Sequence, residues 1–206
     1  MDNLIVKGGW VMVPILASSV VALTLVLERI WFFARNRVDR EDFARSALAS
    51  VRAGDLRSPL ERCRQAGHPL AAVYAAGLES AGEGPVRIEK VMEREAQRQV
   101  ERAEKNLDYL SVVIGIAPLL GFLGTILGLI KAFMAWEKFS TSVTVSQLAA
   151  GIYQAMLTTA AGLIVAIPYF VIYHVLLSRV GALAKDLNHY GDELIVELSK
   201  QKAATR

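Results

Sequence analysis

Charged side chains are missing from three long stretches of this 206-residue sequence. No Asp, Glu, Lys or Arg occurs from Gly8 to Leu27, from Leu110 to Ile130 or from Leu148 to Leu177. A helix needs about 20 apolar residues to cross the hydrocarbon core of a bilayer, and a buried helix of a soluble domain rarely stays uncharged for so long. We therefore predict an all-α integral membrane protein with three transmembrane helices.

Other absences argue against several classes of function. The single cysteine, Cys63, cannot form an intrachain disulfide and is interpreted as a structural thiol. The three histidines, His68, His174 and His189, are scattered and show neither metal-ligand spacing nor a nucleophile–base pair. The net charge is only +3, and bases alternate with acids, which argues against a nucleic-acid partner. We expect no enzyme, no metal and no cofactor.

The flanks of the three stretches predict their orientation. Lys7 precedes the first stretch, as in a signal peptide, but the apolar pattern continues to residue 33, which favours a retained anchor. Lys and Arg follow the first and third stretches, whereas the connection 136–147 holds only Lys138 as a base. The positive-inside rule then places segment 34–109 and the C-terminal tail in the cytoplasm, with the N-terminus and the connection outside.

Segment 34–109 is nearly neutral, with 14 Lys and Arg against 13 Asp and Glu. We interpret it as short helices with solvated charged faces, and docking of a partner is the alternative. Asp39 is predicted to cap the first of them, and Ser58 to Glu61 has the form of a capping box. No helix breaker occurs from Val86 to the second stretch, which predicts one continuous helix over residues 86–135.

Small residues cover one face of the second and of the third stretch. They are Gly121, Gly124, Thr125 and Gly128 in the second, and Gly151, Ala155, Thr159, Gly162 and Ala166 in the third. Small side chains let membrane helices approach closely, so packing is the first interpretation and pore lining is the alternative.

Polar side chains are predicted near the middle of the membrane. From the expected helix ends, a rise of 1.5 Å per residue puts Thr125 ~15 Å deep and Thr159 ~16 Å deep. Gln154 lies ~9 Å deep by the same rise and is one turn from Thr158. These four residues are the candidate pore-facing positions. No ionisable side chain occupies the centre of any span, so a partner must supply the carboxyl group if protons cross here.

Three sequence strings resemble the MotA/TolQ/ExbB proton-channel family, and most of all its ExbB/TolQ branch. They are Ala-Pro-Leu-Leu-Gly-Phe-Leu-Gly-Thr at 117–125, Gly-Leu-Ile-Lys-Ala-Phe at 128–133 and Thr-Thr-Ala-Ala-Gly-Leu-Ile-Val-Ala-Ile-Pro at 158–168. Three predicted membrane helices rather than four argue against the MotA branch. Within these strings and beside them, Pro118, Gly121, Gly124, Gly128, Ala155 and Gly162 are assigned to helix packing and pore lining.

The resemblance implies a homopentamer in the bacterial inner membrane around the single helices of an ExbD/TolR-like dimer. That partner would carry the membrane aspartate, and proton flow would drive work on a TonB- or TolA-like transducer. Thr125 and Thr159 match the threonines that face this aspartate. Gln154 departs from the family, because many ExbB-type members have glutamate there and an amide cannot titrate. The alternative function is a passive membrane scaffold, and a membrane enzyme fits the residues least.

The predicted organisation has six parts. They are the periplasmic N-terminus with the first transmembrane helix (1–33), a cytoplasmic helical segment (34–109), the second transmembrane helix (110–135), a periplasmic turn (136–147), the third transmembrane helix (148–177) and a cytoplasmic C-terminal helix (178–206).

Overall fold

The computed structural model describes residues 7–36, 38–138 and 145–204. The regular elements in these ranges are all α-helices, which confirms the all-α prediction. They are α1 (Met12–Arg35), α2 (Arg40–Arg52), α3 (Arg57–Ala66), α4 (Pro69–Glu79), α5 (Pro85–Glu104), α6 (Leu107–Lys138) and α7 (Val145–Ala204). Half of the predicted turn at 136–147, residues 139–144, lies outside the described part.

The chain divides into two compact units. The first contains Met1–Arg29 and Asn106–Val175, and the second contains Ile30–Lys105 and Leu176–Arg206. The first unit therefore carries the apolar stretches, and the second carries the charged helices. Each unit has its own packing.

The first unit exposes most of its apolar side chains. Three helical spans of the described residues are long and apolar enough to cross a membrane, and only 22%, 22% and 17% of their apolar windows are buried. Exposed residues such as Leu119, Phe122 and Ile164 belong to these windows. A surface of this kind suits hydrocarbon rather than water. The predicted fold class, a membrane protein with three spanning helices, is confirmed.

A small apolar cluster holds α1 to the other two helices of the first unit. Val11, Met12 and Ile15 are buried, and they pack against Leu120 and Leu127 of α6. Ala161 and Val165 complete the cluster from α7. Lipid is as apolar as these side chains, so close van der Waals contact stabilises the cluster more than removal from water does.

The predicted continuous helix over residues 86–135 is wrong, because the structure has a break between α5 and α6. Lys105 is extended, with ψ 135°, and Asn106 adopts a positive φ of 69°. Asparagine is among the few residues other than glycine that tolerate this left-handed conformation. Its side-chain amide donates to Glu28 Oε2 at 3.2 Å, and its carbonyl accepts the amide of Leu110, which opens α6.

The helix starts of the second unit follow the sequence in one case and depart from it in another. Asp39 caps α2 as predicted, since its Oδ1 accepts from the amides of Glu41 and Asp42 at 3.1 and 3.2 Å. The predicted capping box at residues 58–61 is wrong. Asp55 accepts from the amides of Arg57 and Ser58 instead, and α3 begins ahead of the predicted box. Asp55, three residues before Ser58, already accepts from the free amides at the start of α3, so the box has no role there.

The core of the second unit surrounds Tyr74 on α4. Its side chain is fully buried, and its hydroxyl donates to the carbonyl of Tyr190 on α7 at 3.0 Å. Burial is the main cause that raises the pKa of Tyr74, so the phenol stays protonated and the hydrogen bond is kept. Phe43 packs against both Tyr74 and His68, with ring centroids 6.0 and 4.5 Å away.

Candidate functional site

The paired backbones of α6 and α7 form the frame of the candidate site. A Cβ atom built on Gly121 would lie 2.9 Å from the carbonyl oxygen of Thr158, and one on Gly128 would lie 2.7 Å from that of Gly151. In real structures a Cβ essentially never comes within 3.0 Å of a non-bonded heavy atom. Any larger residue at these two glycines would push the helices apart.

The same interface takes in Ala155 and Gly162, two more residues that the sequence assigns to packing and pore lining. A Cβ on Gly162 would lie 2.6 Å from the carbonyl oxygen of Ala117, and one on Gly128 would lie 2.9 Å from the Ala155 methyl. Pro118 follows Ala117 inside α6 and is half-buried. Six of the predicted small residues therefore lie in this contact: Gly121, Gly124, Gly128, Gly151, Ala155 and Gly162.

Thr158 lies inside this contact and is fully buried. A Cβ on Gly124 would lie 2.5 Å from the Cβ of Thr158, so the threonine fills the space that the glycine leaves. Its hydroxyl is within donating distance of the carbonyls of Ala155 and Gln154, at 2.9 and 3.2 Å, on its own helix. A pore-facing role for Thr158 stays a prediction, and its burial in this single chain favours helix packing.

Thr125 and Thr159 meet across the α6–α7 interface. Their hydroxyls are hydrogen-bonded to each other, and each is half-buried. Thr125 Oγ1 also lies 3.2 Å from the Ala155 carbonyl oxygen, and Thr159 Oγ1 lies 3.2 Å from that of Gly121. The two hydroxyls that the depth count placed at matching height are therefore direct neighbours.

This hydroxyl pair is chemically adaptable. Each hydroxyl has one proton to donate and two lone pairs that accept, and it can rotate between partners. One of the two protons serves the bond between Thr125 and Thr159, and the other has a choice of backbone carbonyls. A third polar group beside the pair could therefore either accept a hydrogen bond from one hydroxyl or donate one to a hydroxyl oxygen.

Gln154 belongs to a separate polar contact at one end of the interface. Its Nε2 donates to the Gly8 carbonyl at 3.3 Å, and its Oε1 accepts from Lys131 Nζ at 3.2 Å. An open cavity of about 620 Å³ lies beside it, lined by Lys7, Lys131, Tyr153 and Gln154 among others. Five residues separate Gln154 from Thr159, a rise of ~7.5 Å along the helix. The structure does not bring Gln154 to the hydroxyl pair.

Comparison with known proteins decides the family. Residues 65–189, which include α6 and the part of α7 that forms the site, match the family described as the MotA/TolQ/ExbB proton channel family. The chain belongs to this family. The resemblance predicted from residues 117–125, 128–133 and 158–168 is thereby confirmed.

Individual members of the MotA/TolQ/ExbB family support the ExbB/TolQ branch. An ExbB-like biopolymer transport protein from Synechocystis sp. is 35% identical over 175 residues, or 84% of this chain and 68% of the relative. A second from the same organism is 29% identical over 78% of this chain and 77% of its own length. The Tol-Pal system protein TolQ of Haemophilus influenzae is 33% identical over 54% of this chain and 49% of its own length.

Membership of the MotA/TolQ/ExbB family fixes two coarse properties. With three helices able to span a bilayer among its described residues, the chain is a membrane protein of the bacterial inner membrane. The family consists of channels for transport and energy transduction and is not a family of enzymes. Among the described residues, no three His, Cys, Asp or Glu side chains lie close enough to hold a metal ion.

Sequence reasoning missed the contact between Lys131, Gln154 and the loop before α1. Gly9 has a φ of +73°, a backbone conformation that favours glycine, and a Cβ there would displace the Gln154 amide from its present position. The Gly-Gly pair at residues 8–9 was the available signal, because such pairs mark close approach of a backbone. This contact gives Gln154 a role that needs no titration.

Proposed function

We propose that this chain is the channel-forming subunit of a proton-driven machine in the inner membrane. Copies of the chain form a homopentamer around the membrane helices of an ExbD/TolR-like partner. Proton flow through this complex does conformational work on a TonB- or TolA-like transducer. The observation that carries the proposal is the Thr125–Thr159 hydroxyl pair, which lies in a close helix contact without charged residues at its centre.

The partner's role follows from what the spans of this chain lack. A group that carries a proton must gain and lose it, and no Asp, Glu, Lys or Arg lies between Leu110 and Ile130 or between Leu148 and Leu177. A carboxyl group from a partner helix supplies this chemistry. An isolated carboxylate is costly in a poorly solvated environment, so it needs hydrogen-bond donors where it loses its proton.

The hydroxyl pair meets that need in both states of the carboxyl group. Thr125 or Thr159 donates to the carboxylate when the proton has left, and a hydroxyl oxygen accepts from the carboxylic acid when it is bound. Rotation of the two hydroxyls is enough to switch between donating and accepting, so the backbone does not need to move. Hydrogen bonds to a charged group contribute about 1.5–3 kcal/mol each, enough to shift the balance between the two states.

The energy for work comes from the membrane potential. One elementary charge that crosses 100 mV releases about 2.3 kcal/mol, so several protons together can drive a large conformational step. We propose the orientation that the flanking charges predict, with the N-terminus in the periplasm and the C-terminus in the cytoplasm. Protons then enter from the side that holds Lys131 and Gln154.

The test is proton flux in proteoliposomes that contain the chain and its ExbD/TolR-like partner. Thr125→Val and Thr159→Val each remove a donor, so we expect roughly ten- to hundredfold slower flux, the factor that corresponds to one lost hydrogen bond to a charge. Assembly with the partner, measured by co-purification, should be retained.

The matched control is Thr24→Val on α1. Thr24 is exposed, and within the part of the chain that the structure describes its hydroxyl bonds only the Val20 carbonyl of its own helix, at 2.9 Å. This variant should conduct protons like the unchanged chain. Normal flux in both Thr125→Val and Thr159→Val would contradict the assigned pathway. Transport that continues after the proton gradient is collapsed would favour the passive scaffold instead.

A further inference from the structure

The second unit contains an open groove between α4, α5 and α7. Its volume is about 290 Å³, at the small end for a ligand pocket, and suits inserted side chains better than a cofactor. We call it the acidic groove. Its floor is apolar, with Val73, Met92, Ala96 and Leu187, and its rim carries Glu89, Glu93 and Asp192.

The rim carboxylates differ from most others of this unit. Asp186 is paired with Arg40, Glu197 with Arg52 and Lys200, and Glu79 with Arg64. No ion pair involves the three rim carboxylates within the described part of the chain, and all three are exposed. An apolar floor below unpaired carboxylates fits long basic side chains, whose methylene stems cover apolar surface while the charged head stays in water.

Helix α5 itself carries long basic side chains on a face other than the one that lines the acidic groove. The basic face consists of Arg87, Lys90, Arg94 and Arg98. These residues recur at spacings of three and four and so share one side of the helix. Lys90 and Arg94 have no ion-pair partner within the residues that the structure describes, and both are exposed. Glu93 and Arg94 are adjacent in sequence, so the acidic and basic faces lie about 100° apart around the helix.

We propose that the acidic groove receives the basic face of α5 from a second copy of this chain. The acidic groove and the basic face use different faces of α5, so the two surfaces of one copy cannot contact each other. Each copy therefore presents an acidic groove to one neighbour and a basic face to another. Such a head-to-tail contact is heterologous, and repeated around an axis it closes a ring. The inference rests on the homo-oligomer of the proposed function and adds the surfaces that meet.

Cysteine cross-linking between two differently tagged copies tests this contact in membranes. Both copies carry Cys63→Ala, which removes the only native thiol. One copy carries Glu93→Cys and the other Arg94→Cys, and the membranes are treated with a mild oxidant. A head-to-tail contact predicts a disulfide between the two different copies and little product between identical copies.

The control pair joins Arg94→Cys with Glu61→Cys, an exposed residue of α3 outside both surfaces. It should give no cross-link above background. Cross-links formed mainly between two Glu93→Cys copies would overturn the head-to-tail contact. The absence of a Glu93→Cys to Arg94→Cys cross-link in copies that co-purify would overturn it as well. Copies that do not co-purify at all would overturn the proposed homo-oligomer as well, so the two failures are distinguishable.

Charge reversal provides a test that needs no cross-linker. Glu93→Lys and Arg94→Glu each place like charges across the contact, and both should lower the temperature at which detergent-solubilised oligomers dissociate. The double variant Glu93→Lys/Arg94→Glu restores opposite charges with exchanged positions and should recover most of the loss. A double variant no more stable than the single ones would overturn the proposal.

Discussion

At the scale of single residues, His68 combines burial with a hydrogen bond that depends on its protonation state. It is 6% exposed, and its Nδ1 accepts the Ala71 amide at 3.2 Å, which caps α4. Its Nε2 has no partner in the described part of the chain. Burial first, and then the positive charge of Arg40, lower the pKa of His68 below 6.5. A second proton would occupy the very lone pair that caps the helix.

This arrangement predicts that the second unit loses stability in mild acid. The folded state holds His68 neutral, whereas the unfolded chain takes up a proton as the pH falls through 6.5, so this contribution is present above pH 6.5 and is lost below it. The slope is at most about 1.4 kcal/mol per pH unit. Urea unfolding of the detergent-solubilised protein at pH 7.5 and pH 5.5 measures it.

His68→Asn should reduce this loss, because asparagine also caps helices and does not titrate near neutral pH. The control is His189→Asn, which alters an exposed histidine beside Glu193 and should keep the acid sensitivity of the unchanged chain. Equal acid sensitivity in His68→Asn and the unchanged chain would refute the role of His68.

At the scale of elements, the pairing of α6 with α7 depends on Gly124 and not on Gly115, a glycine elsewhere on the same helix. Gly124→Ala places a methyl 2.5 Å from the Thr158 Cβ, whereas Gly115→Ala on the same helix meets nothing within 4 Å. We expect Gly124→Ala to lower the thermal stability of the solubilised chain by several degrees and Gly115→Ala to leave it unchanged or raise it slightly. Similar melting temperatures for both variants would contradict this interface.

The elements also show what sequence can and cannot predict. Charge-free windows predicted the three spanning helices, because length and polarity alone decide whether a helix suits hydrocarbon. The break at Asn106 was missed, since asparagine is only a weak helix breaker and its left-handed conformation is supported by a distant side chain, Glu28.

In the candidate site, too, the sequence predicted position along a helix but not contacts between distant residues. Depth along two helices was enough to predict that Thr125 and Thr159 lie at matching height, and they are hydrogen-bonded. The burial of Thr158 depends on which face of α7 meets Gly124, and periodicity left that face open between packing and pore lining. The contact of Lys131 with Gln154 joins residues 23 apart in sequence and required the fold itself.

At the scale of the whole molecule, the lone cysteine reports on one unit only. Cys63 is 3% exposed in the second unit, and burial raises the pKa of its thiol to about 11 from 9.0. Two units of pKa lower the thiolate fraction about 100-fold near neutral pH, and thiolate is the reactive species. We expect a maleimide to label the native protein at least about 100-fold more slowly than a free thiol, and urea to abolish the difference. Rapid labelling of folded protein would contradict this core.

The contact between α6 and α7 also limits how the molecule can move. At Gly128 and Gly151 each backbone occupies the place that a methyl on the other helix would take. Turning either helix about its own axis would replace the glycine at the contact with a residue that has a side chain, and that side chain would collide with the facing backbone. If proton flow drives a cyclic motion, as proposed, α6 and α7 move together as one rigid body, and the surfaces that slide past each other lie elsewhere.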